Sequence, residues 1–195
     1  MTAEPLEELV IASLHRGIQA RMAVGEQLAP GIALAAERIA NSFLGGGQLL
    51  IAGIGAGRLP AALLHQGVAL GFDFPRPALP SILLEDGGAT SGEENPLAAR
   101  IRALGRAQDC LALIVPQEMA DPAAGVALRA AHSRDLPCIL LGGATGDQLP
   151  RELATPDIEL SAGTEHLSLA LDVQFSAIFA LCALIERHLF GGSAT

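Results

Sequence analysis

Residues 48–70, QLLIAGIGAGRLPAALLHQGVAL, decide the fold. Residues 49–52 are an apolar run typical of a buried strand, and residues 59–70 have helical spacing. Between them, glycine-rich sequence predicts a turn that leaves backbone N–H groups at the positive end of a helix, where anions and above all phosphates bind. The candidate ligand-binding residues of this turn are Gly53, Gly55, Ala56, Gly57 and Arg58.

The spacing of this glycine turn matches neither of two common phosphate-binding motifs. A dinucleotide motif, G-x-G-x-x-G, would have its third glycine one residue after Gly57. A Walker loop would follow Gly57 with Lys and then Ser or Thr, where this chain has Arg58 and Leu59. The spacing predicts a ligand loop but does not name the ligand.

The rest of the chain alternates between short apolar strands and helices. Further strands are predicted at residues 81–84, 110–115, 138–141 and 158–160, and helices at residues 96–104 and 122–132. This alternation predicts a three-layer α/β sandwich, in which helices cover both faces of a five-stranded parallel sheet. Ligands bind at the carboxyl ends of such strands, which here means the loops at residues 53–58, 85–95 and 116–121.

The helices at the two ends of the chain exceed what one sheet needs. Helical stripes are predicted at residues 5–22 and 28–43, and residues 165–189 form a helix that is apolar nearly all round. We expect a single domain over residues 1–195. Within it, residues 1–46 would be an oligomerisation pair of helices, and residues 47–195 an α/β core with a C-terminal interface helix.

The composition limits the partners and the location of the protein. The chain has 195 residues, a formal net charge of −9, no Trp and no Tyr, which argues against direct nucleic-acid binding. The first eight residues are acidic, unlike a signal peptide, and the most apolar stretch contains Asp172 and Gln174. These features predict a soluble cytoplasmic protein without a membrane segment.

The cysteines and histidines are scattered. Cys110, Cys138 and Cys182 lie far apart within apolar runs, which predicts buried reduced thiols rather than a disulfide or metal site. His65 lies on the predicted helix after the glycine turn and is a candidate catalytic residue if it faces the cleft. The remaining helical histidines, His15, His132 and His188, are expected on helix surfaces.

Four features together resemble a known family: the two leading helices, the unit at 48–70, RIRALGRAQD at 100–109 and LIERHLF at 184–190. They are similar to the sugar-isomerase (SIS) domain proteins, in the branch of the phosphoheptose isomerases and the DnaA initiator-associating protein. The similarity covers nearly the whole chain. It implies a flavodoxin-like five-stranded sheet, preceded by two extra helices, in a homotetramer assembled through its terminal helices.

Several positions depart from the pattern of that family. The metal-ligating histidine and glutamate of the isomerases fall on Leu63 and Gly67, and their C-terminal Gln-Glu-x-His motif falls on residues 171–174. In the glycine turn, Ile54 replaces an asparagine and Gly57 a serine. The hydroxyl-rich phosphate loop falls on 115–120, VPQEMA, where Gln117 is the candidate ligand contact.

These departures favour a binding protein over an enzyme. Aldose–ketose isomerisation needs a base to take a proton and an acid or metal to stabilise the enediolate, and Leu63 and Gly67 supply neither. The resemblance then implies a non-catalytic regulatory protein without zinc or another cofactor, with DnaA as a possible partner. Two alternatives remain. One is a sedoheptulose 7-phosphate isomerase with a rearranged site, whose catalytic candidates are Asp172, Gln174 and His65; the other is a sensor that binds a sugar phosphate without converting it.

Acidic residues cluster in the loop after the second strand. Glu85, Asp86, Ser91, Glu93 and Glu94 would lie at the mouth of the cleft. Their charge would repel a phosphosugar and suit a cationic partner.

Overall fold

The computed structural model describes residues 5–85, 95–116, 123–143 and 152–191. One sheet contains five parallel strands in the order β2-β1-β3-β4-β5. The strands are β1 (Leu49–Gly53), β2 (Ser81–Leu84), β3 (Cys110–Val115), β4 (Cys138–Gly142) and β5 (Ile158–Ser161). The predicted five-stranded parallel sheet is confirmed, and each strand ends within one residue of its predicted bounds.

Helices cover both faces of this sheet. The described part of the chain contains α1 (Leu6–Leu44), α2 (Arg58–Leu70), α3 (Pro96–Leu104), α4 (Ala123–His132) and α5 (Leu167–Phe190). Side chains along a strand alternate between faces, so Leu49 and Ile51 pack with α1, α2 and α5, whereas Leu50 and Ala52 pack with α3 and α4. The three-layer α/β sandwich is therefore confirmed.

One continuous helix of 39 residues, α1, takes the place of the predicted pair of N-terminal helices. Its packed stripe passes from Gly17 through Val24 to Leu28 without a break in helical spacing. Gly25 and Pro30 occupy exposed positions, so neither interrupts that stripe. A proline inside a helix costs about 3 kcal/mol, which the packing of α1 against α5 and β5 offsets.

The first half of α1 carries a large exposed apolar surface. From its start to Met22, seven apolar side chains are between 46% and 79% exposed: Leu6, Leu9, Val10, Ile11, Leu14, Ile18 and Met22. Exposed apolar patches of this kind mark interaction surfaces in soluble proteins.

The C-terminal helix α5 packs against α1 and α2. Its length and composition would also suit a membrane span. One face, which includes Val173, Ile178 and Leu181, lies in the hydrophobic core of the chain. The contact of this helix with another copy of the chain, expected from the sequence, stays a prediction.

A buried ion pair holds the segment between α2 and β2. The carboxylate of Glu186 accepts hydrogen bonds from the backbone N–H groups of Phe72 (2.7 Å) and Asp73 (3.0 Å) and from Nε of Arg76 (2.7 Å). Both side chains of the pair are at most 2% exposed. Burial by itself would raise the pKa of Glu186, but these hydrogen bonds and the arginine charge outweigh burial and lower it.

Candidate functional site

The glycine turn lies where the strand order reverses. It follows β1, which sits between β2 and β3. The connection that leaves β1 runs through α2 on one face of the sheet, and the connection that leaves β3 runs through α4 on the other. Connections that leave two adjacent strands toward opposite faces open a crevice at the carboxyl ends of the strands, where ligands bind in folds of this type. The structure thus places the predicted loop at residues 53–58 at the switch point of the sheet.

Close backbone packing explains the glycines of this turn. The N–H of Ile54 donates to the carbonyl of Ile114 (3.0 Å), which ties the turn to β3. A Cβ atom at Gly57 would overlap that same carbonyl, and one at Gly53 would overlap the carbonyl of Gly57. Gly55 has a φ of +58°, which favours glycine. The turn would therefore keep this sequence without any ligand.

Two residues of the turn have side chains that reach its surface. Ala56 is half-buried and Arg58 is exposed at the first turn of α2. N–H groups at a helix start have no partner within the helix, and together with a guanidinium they could hold an anion. Among residues 53–58, Arg58 is the one with a charged side chain.

Other predicted contacts of the cleft lie outside the described residues. These are Gln117 and the loop residues Asp86, Ser91, Glu93 and Glu94. Glu85 is described and exposed, and its backbone carbonyl accepts a hydrogen bond from Arg100 (2.5 Å).

Gln174 is buried beneath the carboxyl end of β4. Its Nε2 atom donates to the carbonyls of Leu141 (3.1 Å) and Gly142 (3.2 Å), and its Oε1 atom has no hydrogen-bond partner among the described residues. Both acceptors belong to the same chain, so the amide N–H groups are satisfied without a contact from another subunit.

Asp172 does not face the same way as Gln174. It is exposed on the side of α5 that meets α1, where a Cβ atom at Gly17 would overlap its Oδ2 atom. The two residues are two positions apart on a helix, which turns their side chains to different faces. The structure therefore does not bring Asp172 and Gln174 together as a catalytic pair.

His65 also lies away from the glycine turn. Its Nδ1 atom is 3.0 Å from Oγ of Ser81, the first residue of β2. Because the first residue of a parallel strand is at the amino edge of the sheet, His65 points toward the edge opposite the turn. His65 therefore does not meet the condition, facing the cleft, under which it was a catalytic candidate.

Glu165 and His166 do not cap α5 with their side chains. Both are exposed, and His166 occupies the N-cap position without a side-chain capping bond.

The three cysteines are buried and free, as predicted. Burial raises the pKa of Cys110 to about 11 and that of Cys182 to about 12, and it also raises the pKa of Cys138. Thiols in such surroundings are poor nucleophiles at neutral pH.

One polar contact at the other end of the sheet was not predicted from the sequence. His132, expected on a helix surface, is half-buried, with its Nε2 atom 2.7 Å from Oδ2 of Asp157. The two residues are 25 positions apart, so no local pattern could have paired them.

The chain is similar in sequence and in fold to proteins of known name. The chain is 28% identical over 191 residues to the phosphoheptose isomerase of Alkalilimnicola ehrlichii, covering 94% of this chain and 97% of that protein. It is also 28% identical over 190 residues to the DnaA initiator-associating protein DiaA of Salmonella paratyphi B, covering 94% and 96%. The structure also superposes on that of a phosphoheptose isomerase from Francisella tularensis, with a TM-score of 0.82 and 24% sequence identity. The match covers 94% of this chain and 100% of that protein.

The chain is an SIS-fold protein. The predicted resemblance to the branch of the phosphoheptose isomerases and DiaA is confirmed. No family model matches the sequence. Because the relatives of this SIS-fold protein include both named isomerases and a named DnaA-associating protein, they support a catalytic and a non-catalytic interpretation alike.

Proposed function

We propose that this chain is a non-catalytic SIS-fold protein that acts in the cytoplasm as an oligomeric binding or regulatory module, with DnaA as its candidate partner. The relationship to DiaA supports a protein partner. The close packing around Gly67 supports a protein without catalytic activity. The family resemblance places a metal-ligating glutamate of the isomerases at this position.

Gly67 lies against the C-terminal helix. A Cβ atom at this position would be 2.7 Å from Sγ of Cys182, and the Gly67 carbonyl already accepts a hydrogen bond from Arg76 (2.8 Å). Real side chains do not approach a Cβ atom that closely, so α2 and α5 are in contact without space for a carboxylate. This contact supports the proposal that the chain has no metal ligand at this position.

The other positions of the isomerase site are also occupied by groups unsuited to proton transfer. Leu63 is half-buried and packs against the hydrophobic core. Gln174 holds two backbone carbonyls of β4, and a neutral amide does not exchange protons near neutral pH.

The exposed apolar surface of α1 supports assembly. It would be covered by a second copy of the chain, as the resemblance to the SIS tetramers implies, with α5 contributing from the neighbouring layer. A homotetramer would present several identical sites and could gather several partner molecules with the avidity that multivalency provides.

A second candidate function is the binding of a sugar phosphate without conversion. It is favoured by the position of the glycine turn at the switch point and by exposed Arg58 at the start of α2. Sedoheptulose 7-phosphate is the natural probe, because relatives of this chain are named phosphoheptose isomerases.

Thermal unfolding in the presence of sugar phosphates tests these candidates. A ligand that binds only the folded state raises the melting temperature in a saturable way. We expect no shift with sedoheptulose 7-phosphate, no turnover with or without Zn²⁺, and capture of purified DnaA by the immobilised protein. A shift that disappears in Arg58→Gln would establish the sensor function instead, and turnover would overturn the non-catalytic proposal.

A further inference from the structure

Three potential metal ligands meet at the amino edge of the sheet, away from the glycine turn. His132 is the last residue of α4, Cys138 is the first residue of β4, and Asp157 directly precedes β5. Their ligand atoms (an imidazole nitrogen, Sγ and a carboxylate oxygen) all lie within 4.8 Å of one another. The tertiary fold thus brings together donors from three separate elements.

The chemistry of this cluster suits a divalent cation that accepts sulfur ligands. Zn²⁺ binds imidazole nitrogen, thiolate sulfur and carboxylate oxygen, and three protein ligands leave a fourth position for water. A thiolate and a carboxylate together balance the charge of the ion. Neighbouring donors of a tetrahedral zinc site are roughly 3.5 Å apart, so a modest side-chain rotation would close the present spacing.

The carboxylate is already oriented by the backbone. Oδ1 of Asp157 accepts the N–H of Cys138 (2.8 Å), and Oδ2 accepts the N–H of Ala154 (2.9 Å). Hydrogen bonds of this kind fix the direction of a ligand and strengthen metal binding. The imidazole Nε2 lies 2.7 Å from Oδ2, a hydrogen-bond distance, so the two groups would move apart by roughly 0.7 Å to bind one ion.

Access and electrostatics also suit a cation. The side chain of His132 is 27% exposed and that of Asp157 only 1%, so the imidazole forms the solvent side of the cluster. The C-terminal end of α4 carries negative partial charge, which favours a cation there. Sγ of Cys138 contacts the Leu136 carbonyl at 3.6 Å, a long thiol hydrogen bond that a metal could replace at little cost.

We propose that His132, Cys138 and Asp157 form a zinc-binding site. It is distinct from Leu63 and Gly67, the positions on which the family resemblance places the metal ligands of the isomerases. The proposal holds whether or not the chain is catalytic. Binding displaces the thiol proton, so the affinity rises with pH.

Cobalt spectroscopy of the untagged, reduced, full-length protein tests the site. A thiolate bound to Co²⁺ gives a sulfur-to-cobalt charge-transfer band in the near ultraviolet, and Zn²⁺ should abolish it by displacement. The matched control is Cys110→Ser, since Cys110 is the buried first residue of β3 as Cys138 is of β4. We expect the band in wild type and Cys110→Ser, and its loss in Cys138→Ser.

A second variant keeps the test decisive if Cys138→Ser does not fold. In His132→Gln the amide can still donate to Asp157, but Gln is a poor zinc ligand. Its Zn²⁺ affinity should fall by about 100-fold or more, because loss of groups that merely orient ligands already costs 10–100-fold. His188→Gln, at an exposed histidine, should bind like wild type. Absence of the band in wild type at saturating Co²⁺, or unchanged affinity in folded His132→Gln, would overturn the site.

Discussion

Asp109 and Asp157 make the same hydrogen bonds at two separate strand pairs. Each directly precedes a strand, and each accepts a backbone N–H from the start of the neighbouring strand: Oδ1 of Asp109 binds Gln48 N–H (2.9 Å), and Oδ1 of Asp157 binds Cys138 N–H (2.8 Å). The two carboxylates thereby hold β1 beside β3 and β4 beside β5 at the amino edge of the sheet.

Each of these aspartates also closes a turn. The second oxygen accepts the N–H of the residue three positions earlier, Arg106 for Asp109 (3.0 Å) and Ala154 for Asp157 (2.9 Å). The backbone N–H of each aspartate returns a hydrogen bond to the carbonyl of that same residue. One side chain therefore fixes both a turn and the start of a strand.

Removal of the Asp109 carboxylate should destabilise the protein. Asp109→Ala leaves the N–H groups of Gln48 and Arg106 without their acceptor in a buried place, and we expect a loss of about 3 kcal/mol in the free energy of unfolding. Asp109→Asn keeps one acceptor oxygen and should lose about 1 kcal/mol. Urea unfolding measures both, with exposed Glu37→Ala as the neutral control. If Asp109→Ala and Asp109→Asn lose the same free energy of unfolding, the hydrogen bonds that the carboxylate accepts do not stabilise the fold.

The ion pair of Glu186 and Arg76 should make stability depend on acidity. The pKa of Glu186 is lowered in the folded state from 4.5, so its contribution is present above about pH 4.5 and is lost as the pH falls through the folded value. Glu186→Gln should therefore make the melting temperature fall less steeply between about pH 6 and about pH 3, the interval in which this carboxylate gains its proton.

Glu159 provides a control of opposite sign for that experiment. Burial raises its pKa, so its ionisation disfavours the folded state as the pH rises. Glu159→Gln should steepen the acid decline slightly. If Glu186→Gln and wild type lose stability in parallel on acidification, the ion pair does not contribute as described.

The contact between Gly67 and Cys182 should appear as an energetic coupling. In Gly67→Ala the new methyl group meets Sγ of Cys182, and overpacking of this kind costs about 1–3 kcal/mol despite the higher helix propensity of alanine. Cys182→Ala in the same chain should recover most of that loss. A double-mutant cycle by urea unfolding measures the coupling, and additive effects would contradict the close packing of α2 and α5.

Replacement of Gln174 should separate the effect of its hydrogen-bond donation from the effect of its side-chain shape. Gln174→Glu puts a carboxylate against the carbonyls of Leu141 and Gly142, and an ionised carboxylate cannot donate to them. We expect a loss of about 3 kcal/mol or more at pH 7 that shrinks as the pH falls, because protonation restores a donor. Gln174→Met supplies the matched pH-independent loss. If the Gln174→Glu protein is as stable as wild type at pH 7, the Gln174 amide does not donate to these two carbonyls.

A charge on the exposed face of α1 should disrupt the proposed oligomer. Leu14 is 64% exposed, so Leu14→Glu leaves the fold of the subunit intact but places a carboxylate in the contact between copies. Sedimentation velocity should show smaller species for this variant than for wild type, at equal concentration. Leu104→Glu, at a partly exposed leucine of α3, is the control. A wild-type monomer would refute assembly through α1.

Local patterns in the sequence were sufficient for the sheet and its connections. Continuous apolar runs between glycines and prolines mark strands buried on both faces, and Pro96 after Asn95 marks the start of α3, where the Asn95 side chain accepts from two N–H groups. These signals lie within a few residues of the element that they define. The strand bounds and the glycine turn could therefore be predicted.

The length of α1 and the roles of the polar residues could not be predicted in this way. The apolar stripes at residues 5–22 and 28–43 suggested two helices, but whether the chain breaks between them depends on how α5 and β5 pack against it. Gln174 interrupts an apolar helix, and the sequence alone does not indicate that its amide meets carbonyls 32 and 33 positions earlier.

Strand and helix periodicities are local, so the parallel α/β fold and the glycine turn after β1 can be derived from the sequence alone. The contacts of Gly67 with Cys182, of Glu186 with Arg76, and of Cys138 with His132 and Asp157 arise only when the chain folds. These contacts join residues far apart in the chain, and their energies depend on burial and geometry that no local spacing specifies.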